Sequence, residues 1–261
     1  MNYPFQVAVG NLCGYKENIL SMDQSPLKDL RQKMGWKEGA SGGSSSDSLR
    51  MQIAFYCEEY DLAYTLAKGL IQQGAGVIAG VWPDQQRTFF YCLMELQQMR
   101  ESKRIRPKIR ESHRKASQKH YDQMRHWVVD MQSINSAHKL LILDAEMMSI
   151  SKSHSLEDIK KAYDRGIAAA IRTGFLQDGA LAAHLASRTL SGSDKQAYWE
   201  RAMELYTKWG AKGVVSHLSK KKRRNMMATN DVPSEEESST DFRARSRIDV
   251  TVSDNHKKLN L

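Results

Sequence analysis

The sequence predicts an all-α protein of stacked antiparallel helical hairpins, a tetratricopeptide-like α-solenoid with disordered tails. Three observations lead there. Only 5 prolines and 16 glycines punctuate 261 residues, too few turn formers for a strand-rich fold. Apolar residues recur at helical spacing through most of residues 48–219, a 3.6-residue period. Sliding the chain by 36 residues lays YDRGIAAAIRTG (Tyr163 to Gly174) over WERAMELYTKWG (Trp199 to Gly210). That period suits a helix-pair repeat, in which one hairpin buries its apolar face only when another stacks on it.

Residues 1–47 form an N-terminal segment ending in GASGGSSSDS, which composition reads as a flexible linker. LRMQIAFYCEE and YDLAYTLAKGLIQQG read as a hairpin, with Leu62, Leu66 and Leu70 as the stripe of its second helix, beside Ala63 and Ala67, and Gly74 as its stop. Pro83 and Asp84 start a third helix with Phe89, Phe90, Leu93 and Leu96 inward. A long basic helix follows, broken at Pro107, with Ile105, Ile109, Ala116, Met124, Trp127 and Val128 as a thin apolar stripe. Ser136 is a cap for AHKLLILDAEMMSIS, in which Leu140, Leu141, Ala145 and Met148 keep helical spacing. Ser155 and Asp158 are spaced as a capping box before a helix ending at Gly174. An Ala-rich helix, the turn SGSD and a helix with Ala202, Leu205, Tyr206 and Trp209 inward come next, and AKGVVSHLSKK is the last core element. Residues 220–261 are polar and charged, a composition that does not support folding.

Charge is uneven along a chain of net +9. Between residues 100 and 126, ten Lys/Arg face Glu101, Glu111 and Asp122, a local balance of +7. Arg100, Lys103, Arg104, Arg106, Lys108, Arg110, Arg114, Lys115 and Lys119 are the candidate partner-binding patch, a density that suits an acidic protein or phosphates. Lys220, Lys221, Lys222, Arg223 and Arg224 resemble a nuclear-import cluster, and SEEESSTD resembles a substrate of an acidophilic kinase.

Catalytic chemistry finds little footing. GASGGSSS lacks the Lys and the strand-turn-helix context of a phosphate loop. His113, His120 and His126 are spaced seven and six apart, not the three or four that metal ligation on a helix uses, and read as surface histidines. Cys57 and Cys92 sit in apolar helices as small hydrophobes, and Cys13 lies in an unassigned stretch. Asp144 and Glu146 point to different faces and read as capping or ion-pairing groups. The expectation is no catalytic, cofactor or metal residue. The three dispersed cysteines suit a reducing compartment, and neither a signal-like N-terminus nor a spanning apolar stretch is evident. A cytoplasmic protein without a membrane partner is expected, the nucleus being the alternative.

The stretch YDRGIAAAIRTGFLQDGALAAHLASRTL through AYWERAMELYTKWGAKGVVSHL resembles the end of the helical-repeat region of large predicted-ATPase signalling proteins, including multi-sensor hybrid histidine kinases. Gly174-Phe175, Ala180-Leu181-Ala182 and Tyr206 to Ala211 stand where that family has its Gly-Phe junction, its Ala-Leu-Ala start and its closing Tyr-x-x-Trp-Gly-Ala. HKLLILDAEMMS and MQIAFYCEEYDLAYTLAKG are similar to upstream helices of the same family. The resemblance covers roughly residues 15–219 and implies a connector between ATPase or kinase domains and sensor domains. No GxxxxGK[ST], His-Arg-Asp or Asp-Phe-Gly occurs, so ATP binding and phosphotransfer carry over to no residue. The expected function is a non-catalytic scaffold for protein or interdomain contacts. A nucleic-acid-binding repeat protein using residues 100–126, or a fragment of a larger ATP-binding signalling kinase, are the alternatives.

Overall fold

Every described segment with regular structure is helical. The computed structural model describes Leu12 and residues 42–72, 82–101, 106–151 and 153–230. Cys13, Ile105, Lys103 and Arg104, the expected disorder of residues 1–41 and the tail from residue 231 lie outside the described residues. Nine α-helices are described: α1 (Gly42–Tyr56), α2 (Tyr60–Gln72), α3 (Trp82–Glu101), α4 (Pro107–Arg125), α5 (Ala137–Ile150), α6 (Leu156–Arg172), α7 (Leu176–Thr189), α8 (Gly192–Trp209) and α9 (Lys212–Asn230). A π turn (His126–Asp130) and a 3₁₀ turn (Ile134–Ser136) join α4 to α5. The chain divides into two units, Met1–Lys220 and Lys221–Leu261, and the core described below belongs to the first.

Within that unit α1 packs on α2, α3 on α4, α5 on α6 and α7 on α8, while α1, α3, α5 and α7 also touch one another in series. Small residues let the layers approach. Gly166 of α6 is one such point, since a Cβ there would lie 3.1 Å from Ile142 Cγ1 of α5. The two repeat copies end alike. Gly174 (φ 83) and Gly210 (φ 88) are left-handed C-caps. Phe175 N–H donates to Ala170 O and Ala211 N–H to Tyr206 O, both at 2.9 Å, with Gly174 N–H to Ile171 O and Gly210 N–H to Thr207 O beside them, the Schellman pattern. The α1–α2 corner repeats it with Glu58 (φ 58) where glycine would stand: Glu59 N–H donates to Ala54 O and Glu58 N–H to Phe55 O.

Several expectations change. Helix α1 begins inside the Gly/Ser run read as a linker, and α9 continues to Asn230, through the residues from 220 expected to be disordered. Ala63, Ala67 and Leu70 form the buried stripe of α2, with Leu62 and Leu66 half-buried. Ile109 is exposed and Trp209 is half-buried against Tyr56, ring centroids 5.6 Å apart. Helix α5 turns a different face inward from the one its aliphatic residues suggest: His138, Lys139, Ile142, Leu143, Ala145 and Glu146 are buried. Ser136 makes no side-chain cap, because its hydroxyl donates to Gln85 Oε1 of α3 at 2.5 Å. Ser155 does cap α6, accepting from Asp158 N–H.

Candidate functional site

Two polar clusters occupy opposite ends of the inner helices α3, α5 and α7. At their N-terminal ends Lys139, His138 and Asp178 are sealed, each side chain 0% exposed. Lys139 Nζ pairs with Asp178 and lies 3.2 Å from His138 Nε2, which is 2.7 Å from Asp178 Oδ2. Phe175 stacks on His138 at 4.5 Å, and the ammonium also faces the Phe89 and Phe175 rings at 5.4 and 5.2 Å. Burial alone would raise the Asp178 pKa. The Lys139 charge and the His138 hydrogen bond outweigh it and hold the carboxyl below its ordinary value. Asp178 Oδ1 and His138 Nδ1 have no hydrogen-bond partner.

At the C-terminal ends Arg100 and Arg188 are part-exposed and richly bonded around the buried Glu146 and Tyr163, although Arg100 Nε has no hydrogen-bond partner. Arg100 of α3 pairs with Glu146 of α5 at 2.8 Å, reaches Thr189 Oγ1 of α7 at 3.1 Å and touches Ser149. Tyr163 donates to Glu146. Beside them Arg188 of α7 donates to Tyr60 OH at 2.6 Å and to Gln97 Oε1 at 2.9 Å, and its guanidinium lies 4.6 Å from the Tyr60 ring centre. Glu58 accepts from His184 Nε2 at 3.0 Å, and Glu59 lies 3.1 Å from His217 of α9. These contacts span 126 and 158 residues and tie the first hairpin to the last helices, beyond the neighbour contacts that define a one-dimensional repeat array. Burial lowers the Arg100 pKa and the Glu146 carboxylate more than restores it, so the guanidinium stays charged.

The expected basic patch is therefore divided. Arg100 leaves it for the interior. Arg106, Lys108, Arg114, Lys115 and Lys119 are exposed on or beside α4, but Arg114 is engaged by Glu111 at 2.7 Å. Arg114, Lys115 and Lys119 share a shallow depression with Asp122. Arg110 and Arg114 edge a groove of about 440 Å³ between α3, α4 and α5, floored by Leu96, Met99, Met147 and Ile150. The five residues Lys220 to Arg224 lie within α9, where consecutive side chains turn by about 100° each and so point around the axis. Two of the three histidines are not on the outer surface: His113 Nδ1 is 2.6 Å from Glu95 of α3, and His120 packs on Tyr91 of α3. Burial, with Lys119 adding, pushes the His120 pKa down to about 4. Cys92 is buried, its thiol 3.4 Å from Ser117 O, and burial raises its pKa. Asp144 accepts from Tyr121 OH at 2.7 Å. Among the described residues no group of three or more His, Cys, Asp or Glu could hold a metal ion, and no helix is long and apolar enough to cross a membrane.

Sequence reasoning missed both clusters because it set polar residues outside. The signal was present in α5: Lys139, Ile142, Leu143 and Glu146 fall at i, i+3, i+4 and i+7, so two charged residues sit in core register. No protein-family model, no curated protein and no solved structure matches the chain. The fold therefore defines the class, an all-α protein of packed helical hairpins.

Proposed function

We propose that the helices form a non-catalytic helical-repeat scaffold that presents its outer faces to a protein partner or a neighbouring domain, in the manner expected of a connector in an ATPase- or kinase-type signalling assembly. The observation that supports this reading is where the interior charges go. Arg100–Glu146, Lys139–Asp178 and Glu58–His184 each join different hairpins, and removing one partner of such a buried pair is costly, which ties the hairpins to one arrangement. The exposed cations of α4 are then the surface offered to a partner, an acidic protein being the best match in charge.

Affinity isolation with the full chain and with Lys115→Glu/Lys119→Glu, each with and without nuclease, tests it. A protein retained by the wild type, lost with the variant and indifferent to nuclease is the expected result. Nuclease-sensitive retention with a steep salt dependence would assign α4 to nucleic acid. Saturable micromolar binding of a labelled ATP analogue, with turnover, would overturn the non-catalytic reading.

A further inference from the structure

Up to Lys220, seven large apolar side chains among the described residues are exposed, and five of them gather at one end of the stack. In antiparallel hairpins the second helices α2, α4 and α6 all finish at the end where the next hairpin begins. Ile71 and Ile171 are the penultimate residues of α2 and α6. Val129 (50% exposed), Met131 (61%) and Ile134 (77%) occupy the connection from α4 to α5. The other two, Ile109 and Leu156, begin α4 and α6 at the opposite end.

Looseness does not account for this exposure. The connection is tied down by buried Trp127, by Met131 N–H donating to His126 O at 3.1 Å and Ser133 N–H to Trp127 O at 2.9 Å, and by Ser133 Oγ donating to Gln85 at 3.2 Å. Gln132 turns through a left-handed conformation (φ 53) that a non-glycine residue adopts at a cost. The backbone thus holds aliphatic tips out in water. Exposed cations ring them: Lys68 a turn from the end of α2, Arg125 and Arg172 closing α4 and α6, and Lys208 near the end of α8. Nearby acids are partly engaged, Asp130 with His126 and Glu204 with Lys208, while Asp122 is exposed. The helix dipole favours cations at C-termini, but it gives no reason for aliphatic residues beside them.

We propose that this end of the stack docks on the surface of an anionic lipid bilayer, the aliphatic tips entering the boundary between headgroups and acyl chains and the cations meeting the headgroup charge. The cations named here outnumber the acids four to three, the sign of charge that an anionic headgroup layer matches. The docking is peripheral and needs no spanning helix. It goes beyond the scaffold reading.

Co-sedimentation of the full chain with vesicles of phosphatidylcholine alone, or with about a third phosphatidylserine, tests this. Binding to the anionic vesicles at least about ten-fold tighter than to the neutral ones is expected, weakening with salt. Val129→Ser/Met131→Ser/Ile134→Ser should lose about ten-fold with an unchanged helical circular dichroism spectrum, since exposed positions carry little stability. Arg125→Glu/Arg172→Glu should lose a similar factor. Equal binding to both vesicles, binding to neither, or wild-type binding by the triple-serine variant would overturn the proposal. So would sedimentation without vesicles that depends on the tips, which would assign this end to a contact between copies.

Discussion

The two ends of helices α3, α5 and α7 solve the same problem, charge inside a helical stack, in opposite ways. The Lys139–His138–Asp178 cluster is sealed behind Phe89 and Phe175 and leaves Asp178 Oδ1 and His138 Nδ1 unpartnered. The Arg100–Arg188 cluster keeps some access to water and spreads its bonds over Glu146, Thr189, Ser149, Tyr60 and Gln97. A sealed pair depends on both members, because an ion left alone in a dry site has nothing to solvate it. A part-exposed network has substitutes, including water. The N-terminal ends are therefore the brittle part of this stack and the C-terminal ends the tolerant part.

Removing one charge at the sealed end should do the most damage. Asp178→Asn keeps the shape and strands the Lys139 ammonium, and should cost about 3–5 kcal/mol in denaturant unfolding. Lys139→Met in the same chain should recover most of it, because two apolar or neutral groups then replace an uncompensated ion. A loss below about 1 kcal/mol for the single variant would show that the site is not dry. At the other end Arg100→Gln leaves the buried Glu146 with its Tyr163 hydrogen bond and a neutral amide in place of the guanidinium, and should cost about 1–3 kcal/mol. Equal losses at the two ends would erase the contrast.

That contrast also explains what the sequence made legible. Helix positions follow from 3.6-residue periodicity, and the Phe89, Phe90, Leu93 and Leu96 stripe of α3 is buried as its spacing requires. Gly174 was visible as a helix stop, and the 36-residue overlay set Gly210 in the same place, because glycine takes the left-handed cap without strain. Helix α5 was misassigned because its core face carries His138, Lys139 and Glu146, whose burial depends on Asp178 and Arg100, distant in sequence. Arg100 looked like part of a basic run for the same reason. Start and stop residues fared worse where tertiary contact overrides propensity, as in the Gly/Ser start of α1 and the basic continuation of α9.

Acid should weaken the α3–α4 pair in a way that His120 reports. Its folded pKa of about 4 lies below the ordinary value of about 6.5. As pH falls from about 6.5 to about 4 the unfolded chain takes up a proton there that the folded chain refuses, so stability falls through that window and the contribution levels off below it. The shift corresponds to at most about 3 kcal/mol. His120→Gln should flatten the acid limb of the stability curve in this window relative to wild type, and parallel limbs would show that Lys119 and burial do not act on His120 as described.

The smallest expected effect lies at Glu58, where the open end meets the first hairpin and where strain and pairing oppose each other. The α1–α2 corner uses the Schellman geometry of the two repeat corners, but a glutamate holds the left-handed position at a backbone cost of about 1 kcal/mol. Its carboxylate is retained by His184 at 3.0 Å and Arg188 at 3.7 Å. Glu58→Ala keeps the strain and loses both pairs, and should destabilise by about 1–2 kcal/mol. Glu58→Gly loses the same pairs and relieves the strain, so it should lie closer to wild type, by about 0.5–1 kcal/mol once the greater freedom of glycine in the unfolded chain is counted. Gly174→Ala and Gly210→Ala calibrate the comparison, since each adds strain without removing a pair and should cost about 1 kcal/mol. Denaturant midpoints for the four variants decide the matter. If Glu58→Gly and Glu58→Ala coincide while the two glycine corners respond, the left-handed corner at Glu58 carries no strain, and the interactions of its carboxylate account for its stability.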